Sequence, residues 1–291
     1  MEFKLDFLGI GAQKAGTTWL YEMLSQHPQI NMGDEKEINF FNDKSSFNSK
    51  KIEKNYLKGM SWYKKQINPK KNKINGEISP NYLFDKKVPQ RIKKHFPNTK
   101  IIVVLRNPIS RAYSQFEFVS KTFHIENSFF KAIKKQPEFI QRSLYYKQLK
   151  RYYDLFKKDQ IKVLFFEDIK NNPQKIIKEV EEFLKIKHFT PNNLNKKVNK
   201  TTYPRFKIIN KILTKIQKIK TTKLGKKLWK NKYFWKLNRQ FISIIKKINL
   251  KEGKRIQLSN KDKKYLYENY FKEDIKQLEK LLNKDLSSWK Y

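Results

Sequence analysis

Three of the chain's 8 glycines fall in one short stretch, Gly9-Ile10-Gly11-Ala12-Gln13-Lys14-Ala15-Gly16-Thr17-Thr18. Gly11 and Gly16 have the G-x-x-x-x-G spacing of a phosphate-binding loop. The apolar run from Phe3 to Ile10 reads as a buried strand leading into it, and Leu20, Met23 and Leu24 give the segment after it one apolar helical face. Strand, glycine loop and helix N-terminus form an anion cradle, because free N–H groups and the positive end of the helix dipole point the same way. A nucleoside triphosphate site would carry Lys directly after the second glycine and Ser or Thr next, to hold magnesium. Here Thr17 follows Gly16, and the lysine is Lys14, inside the loop. That chemistry suits one phosphate group with a charged leaving portion better than a metal-bound triphosphate. An ordinary tight strand-to-helix turn is the competing account of the same residues.

A second anion site is legible where Ile101-Ile102-Val103-Val104-Leu105 ends at Arg106. Asn107-Pro108 supplies an N-cap and a first-turn proline, so a helix is expected to follow, with Ser110, Arg111 and Ser114 on a shared face. Arginine offers a forked donor pair to phosphate and serine adds a hydroxyl; a strand-end arginine that only caps its neighbours is the alternative. The candidate proton acceptor is Glu37, in Lys36-Glu37-Ile38-Asn39-Phe40-Phe41. Desolvation by the phenylalanine pair would raise its affinity for a proton, as a base for a hydroxyl requires; a loop carboxylate paired with Lys36 is the other account. The chain has no cysteine, and His27, His95, His124 and His188 have no ligand spacing, so no metal is expected.

The elements that must position these groups alternate. Helix is expected from Thr17 to Ser25, a short strand at Ile30–Met32, helix over 53–66, strand at Lys73–Glu77, helix from Lys87 to Phe96, strand at Ile101–Leu105, helix over 142–157 and strand from Ile161 to Phe166. Asn172-Pro173 opens a further helix carrying Ile176, Ile177, Val180, Phe183 and Leu184. Strands alternating with helices predict a three-layer α/β, P-loop-like fold around a central parallel sheet. The 291 residues are read as a single domain, with a variable basic helical insertion over 206–250. The stripe Ile208, Ile209, Ile212, Leu213, Ile216 and Ile219 either packs on the α/β core or leaves a basic face for an anionic or membrane-linked acceptor.

The net charge of +39 would ordinarily suggest nucleic acid or an anionic surface, but the cations are overwhelmingly lysines spread along the whole chain. No specific nucleic-acid partner is therefore expected. No apolar run approaches the roughly 20 residues of a membrane span. The first strand begins within a few residues of Met1, which leaves no room for a signal peptide, so a cytoplasmic location is expected. Nothing in the sequence bears on oligomeric state.

The strings GAQKAGTTWLYEML and VVLRNPISRAYSQF resemble the 5′-phosphosulfate loop and the 3′-phosphate element of sulfotransferases that use 3′-phosphoadenosine-5′-phosphosulfate (PAPS), in particular the Golgi heparan-sulfate type and their bacterial relatives. The segments KEINFF, GEISPNY, RSLY, IKVLFFEDI and NYFKEDIKQLEKLLNKDLSSW extend the resemblance over nearly the whole chain, 206–250 excepted. The resemblance implies PAPS as co-substrate and transfer of its sulfuryl group to a hydroxyl of an acceptor, a small molecule or, as the stronger expectation, a glycan. It implies that Lys14, Ala15, Gly16, Thr17 and Thr18 hold the 5′ end of the nucleotide and that Arg106 and Ser114 hold the 3′-phosphate. Tyr203, in the loop after the last core helix, would contact the nucleotide, and Lys254 and Arg255 would belong to a nucleotide lid. Glu37 would be the base, with His124 as the second candidate, and Lys14 would stabilise the leaving phosphate. Lys36, Asn39, Phe40, Ser79, Pro80 and Asn81 would face the acceptor. Two positions depart from the family pattern: Asn39 stands where histidine is frequent, and Ile78 where the family has lysine, which leaves sulfate stabilisation to Lys14. The rival accounts are a P-loop kinase-like phosphotransferase, disfavoured by the missing Lys after Gly16, and a non-catalytic binder of polyanions or nucleic acid.

Overall fold

The computed structural model describes residues 3–43, 55–123, 128–195, 202–204, 250–252 and 258–291. The chain divides into two compact units, residues 1–198 with 258–291, and residues 199–257. In the first, five short apolar segments pair in parallel: β1 (Phe7–Gly11), β2 (Ile30–Asn31), β3 (Ile74–Ile78), β4 (Lys100–Leu105) and β5 (Ile161–Phe165), in the order β2-β3-β1-β4-β5. Strand β4 is buried from Ile101 to Leu105, as a parallel strand covered on both faces must be, and it pairs with β5 from Ile101 opposite Ile161 to Leu105 opposite Phe165.

Helices flank this sheet. They are α1 (Thr17–Leu24), α2 (Gly59–Ile67), α3 (Val88–His95), α4 (Pro108–Phe123), α5 (Phe129–Lys135), α6 (Glu138–Gln141), α7 (Tyr145–Tyr153), α8 (Phe166–Asn171), α9 (Pro173–Leu184), α10 (Asn260–Leu266) and α11 (Lys272–Leu282), the last two joined by a π-helical turn at Tyr267–Phe271. The parallel α/β architecture is the expected one. Two helices differ from the sequence reading for identifiable reasons. The helix expected over 53–66 begins as a 3-10 turn, Asn55–Lys58, and restarts at Gly59, whose φ of 79° no regular helix accommodates. The helix expected over 142–157 shortens to α7, because Asp274 on α11 caps it from outside: its carboxylate accepts from Tyr145 N at 2.7 Å and Tyr146 N at 3.1 Å.

The chain leaves β1 for the edge strand β2, returns to β3 beside β1, and then crosses to β4 on the other side of β1. The direction of strand addition thus reverses at β1. The C-terminal ends of β3, β1 and β4 lie next to one another, and an open α/β sheet forms its ligand crevice at such a reversal.

In the second unit, β6 (Thr202–Pro204) and β7 (Leu250–Glu252) form an antiparallel pair with Tyr203 opposite Lys251. The apolar stripe beginning at Ile208 lies outside the described residues. Among the described residues no helix is long and apolar enough to cross a membrane.

Candidate active site

The loop between β1 and α1 sits at the middle of the sheet's C-terminal edge. Gly16 adopts φ 98°, and a Cβ there would lie 2.9 Å from Phe166 Cδ2, so the position needs glycine both for its backbone and for the ring beside it. No side-chain oxygen caps α1, which leaves its first-turn N–H groups to a ligand. Phe166, at the start of α8, also carries the Arg106 guanidinium 4.6 Å above its ring. One aromatic side chain therefore fixes the spacing between the helix N-terminus and the strand-end cation.

The loop is tied to its surroundings at three points. Arg106 Nη1 donates to the Lys14 carbonyl at 2.9 Å. Gln13 Nε2 donates to Asn81 Oδ1 at 2.8 Å, and Arg142 Nη1 reaches the same oxygen at 3.1 Å and Gln13 Oε1 at 3.2 Å. Lys36 Nζ donates to Thr18 Oγ1 at 2.7 Å and lies 3.5 Å from Glu37 Oε1. The phosphate loop, the end of β4, the segment after β3 and the Glu37 segment thus share one polar network. Lys14 itself, at φ 67°, places its ammonium 4.1 Å from the centre of the half-exposed Phe118 ring.

Positive charge is buried beside the loop. Arg106, Arg111 and Arg142 are nearly or fully enclosed. Burial, with Arg142 and Arg106 nearby, brings Arg111 down to about 10, so it remains a cation at neutral pH. Burial also lowers Arg142, which the Glu138 carboxylate opposes through contacts of 2.9 and 2.7 Å. Three enclosed guanidinium groups favour an anionic ligand at this edge of the sheet.

The Glu37 segment rests on a buried carboxylate, Glu77, at the end of β3. Tyr63 and Tyr82 donate to Glu77 Oε1 at 2.8 and 2.7 Å, and Ser79 donates to Oε2 at 2.9 Å. Burial raises Glu77 above the ordinary carboxylate value, against these hydroxyls and the Ile38 N–H, which also bonds to it. Both tyrosines are pushed well above theirs by burial and by the neighbouring Glu77 charge.

The structure brings Lys14 to Thr18, Arg106, Lys36, Glu37, Asn39 and Asn81 together as one connected site. It revises several details. Ser110 is exposed whereas Arg111 is fully buried, bonded to Ser143 Oγ and the Phe139 carbonyl, so Ser110, Arg111 and Ser114 do not share a face. The step of about 100° per residue turns Arg111 into the core. The Phe40 and Phe41 rings lie in an aromatic core with Tyr63, at 4.5 and 5.2 Å. The Glu37 side chain keeps 38% of its surface in solvent and pairs with Lys36, so its surroundings are not the apolar ones expected from that pair. Ser79 is also fully buried, with its hydroxyl engaged by Glu77 and Asn39 N. Pro80 is buried next to it, and Ser114 is buried on α4. Tyr203 lies on β6; Lys254, Arg255 and His124 fall outside the described residues.

Sequence reasoning did not single out Gln13, Glu77, Tyr82, Phe118 or Phe166. Glu77 carried a usable signal: an acid in a strand that a parallel sheet covers on both faces must be buried and therefore bonded.

Residues 4–281 match the sequence profile of the family described as "Sulfotransferase domain". The chain belongs to the sulfotransferase family. Among curated sulfotransferases, it is 28% identical over 190 residues to mouse heparan sulfate glucosamine 3-O-sulfotransferase 5, covering 61% of this chain and 52% of that protein. It is 23% identical over 287 residues to the membrane-associated sulfotransferase kil1 of Dictyostelium discoideum, covering 65% of this chain and 59% of that one. The chain thus spans just over half the length of these relatives. The crystal structure of a sulfotransferase from Alicyclobacillus acidocaldarius shares the fold, with a TM-score of 0.66 at 22% identity over 99% of this chain and 100% of that one.

Proposed function

We propose that this sulfotransferase moves the sulfuryl group of PAPS onto a hydroxyl of a carbohydrate acceptor, without a metal. The observation that carries the reading is the convergence, at the ends of β3, β1 and β4, of an uncapped helix N-terminus, an enclosed arginine and a carboxylate linked to both through Lys36 and the loop. The residues fit a nucleotide with phosphate at both its 5′ and 3′ positions, because Phe166 lies beside both Gly16 and Arg106 and so keeps the loop and the strand-end cation near one another. The names of the heparan sulfate relatives support a glycan as the acceptor class.

Bound there, the nucleotide supplies the sulfur that bonds to the acceptor oxygen while its bond to the phosphate oxygen breaks. Glu37 takes the hydroxyl proton on a carboxylate oxygen. The Lys14 ammonium moves from Phe118 to the bridging oxygen and offsets the charge that grows on the leaving phosphate. Thr17, Thr18 and the Ala15-Gly16 turn with the Gly16 N–H hold the 5′-phosphate, and Arg106 with Ser114 holds the 3′-phosphate.

Two measurements test this. Adenosine 3′,5′-bisphosphate should raise the melting temperature by mass action while ATP with magnesium does little; the reverse ranking sinks the proposal in favour of a kinase-like reaction. Glu37→Gln should abolish transfer from radiolabelled PAPS to the polysaccharide fraction of the source cells while bisphosphate binding persists. Undiminished transfer would remove Glu37 as the base.

A further inference from the structure

Glu37 and Asn39 both have left-handed backbones, with φ of 60° and 50°. Asparagine tolerates that region; glutamate does so at a cost, and such residues persist where their surroundings over-determine them. Several contacts hold this segment, and the three that fix its backbone N–H groups at residues 38–40 pass through Glu77. Tyr82 Oη accepts from Phe40 N at 2.9 Å and donates to Glu77. Ser79 Oγ accepts from Asn39 N at 3.0 Å and donates to Glu77. The Ile38 N–H bonds to Glu77 directly. The others act on side chains and carbonyls: Asn39 Nδ2 donates to the Glu37 carbonyl at 2.7 Å, Asn81 Nδ2 steadies Asn39 through its Oδ1 at 3.0 Å, Asn55 Nδ2 donates to the Ile38 carbonyl at 3.1 Å and Arg91 Nη1 to the Phe41 carbonyl at 2.6 Å.

The polarity of this arrangement is one-directional. Backbone N–H groups of residues 38–40 donate to a carboxylate or to hydroxyls, and each hydroxyl can accept from the backbone because its own proton goes to Glu77. An acceptor-only group is required at the centre. An amide would set its NH₂ group against either the Tyr63 and Tyr82 hydroxyls or the Ser79 hydroxyl, so at least one of these donors would lose its acceptor and that arm its anchor.

We propose that Glu77 is a positioning residue for sulfuryl transfer: through Ser79, Tyr82 and the Ile38 N–H it holds the 37–41 segment in the strained backbone that presents Glu37 to the acceptor. The proposal rests on Glu37 being the base. It makes no contact with the nucleotide sites, so it separates transfer from nucleotide binding. Tyr63 is a built-in control. Its hydroxyl donates to the same Glu77 oxygen at 2.8 Å, and Tyr63→Phe removes that bond while keeping the ring that packs on Phe40 and Phe41.

The experiment compares Glu77→Gln, Tyr82→Phe, Ser79→Ala and Tyr63→Phe in the full chain. Readouts are transfer from radiolabelled PAPS to the polysaccharide fraction, calorimetric affinity for adenosine 3′,5′-bisphosphate, melting temperature, and amide exchange of the peptide spanning 37–41. Glu77→Gln and Tyr82→Phe are expected to lower kcat by up to ~10²-fold, the size of effect that a displacement of about 1 Å produces. Ser79→Ala should follow in the same direction. Bisphosphate affinity should stay within about twofold, and exchange at 37–41 should accelerate. Tyr63→Phe should lose a comparable amount of melting temperature with kcat and exchange at 37–41 unchanged. Equal losses of kcat in Tyr63→Phe and Tyr82→Phe would reduce Glu77 to a stabiliser of the core and overturn the proposal, as would unchanged kcat in Tyr82→Phe and Glu77→Gln. Glu37→Gln run alongside keeps the two readings apart. If it is inactive while the Glu77 set is normal, only the positioning role falls; if it remains active, the base assignment falls and takes the positioning role with it.

Discussion

Replacing Arg106 by alanine separates two contributions that one side chain makes. Its Nη1 donates to the Lys14 carbonyl at 2.9 Å and its guanidinium lies 4.6 Å above Phe166; the function proposed above also gives it the 3′-phosphate. The bond to Lys14 supports the loop whatever nucleotide is bound; the proposed phosphate contact would act only on a nucleotide that carries a 3′-phosphate. A hydrogen bond with a charged partner contributes about 1.5–3 kcal/mol, which is roughly a factor of 10 to 150 in affinity. Adenosine 5′-phosphate should therefore lose about 10-fold in Arg106→Ala through the loosened loop, and adenosine 3′,5′-bisphosphate about 10²- to 10³-fold through both losses. Titration calorimetry of the two nucleotides against both proteins gives the ratio directly, and circular dichroism confirms that the variant is folded. The preference for the bisphosphate should shrink by about 10-fold or more, with Ser114→Ala shrinking it by roughly threefold for a neutral hydroxyl donor. If both nucleotides weaken by the same factor, Arg106 acts on the loop alone and the 3′-phosphate is held elsewhere.

Gly16→Ala places a Cβ 2.9 Å from Phe166 at φ 98°. A cost of about 2–3 kcal/mol in urea unfolding is expected, with bisphosphate affinity falling by more than about 10-fold; a variant with normal binding would show that the cradle does not depend on this backbone. Asp274 is raised by burial from 3.8 to about 6, despite the Tyr145 and Tyr146 N–H groups it accepts from. Between those values the folded chain binds more protons than the unfolded one, so the contribution of Asp274 to stability falls as pH rises through this window, by at most on the order of 3 kcal/mol. Comparing melting temperatures of wild type and Asp274→Asn from pH 4 to pH 7 (a window taken from that shift) should show the wild type losing stability relative to the variant as pH rises; parallel curves would contradict it.

Much of this protein was legible before its fold was seen, and the reasons are local. Strand β4 is an unbroken β-branched run that only a strand covered on both faces can use, and Asn107-Pro108 marks the helix after it. The glycine spacing, Lys14 inside the loop and the strand-end Arg106 are likewise chemistry carried by neighbours in sequence, and together they identify an anion-binding α/β protein. The 37–41 segment was legible as a candidate base but not as a conformation, because φ of 60° at Glu37 is imposed by partners from β3 and beyond.

Composition, periodicity and spacing thus determined the strands, the phosphate loop and the identities of the charged groups, since each follows from the preferences of adjacent residues. Only the tertiary structure decided which of those groups work together. The sheet order β2-β3-β1-β4-β5 sets the ends of three strands side by side, so that Gln13 meets Asn81 and Arg142, Lys14 meets Arg106, and Glu77 comes to lie beneath residues 38–40. Those contacts join residues far apart in sequence. They depend on strand order and on which helix face turns inward, as Arg111 shows, and no local preference encodes either.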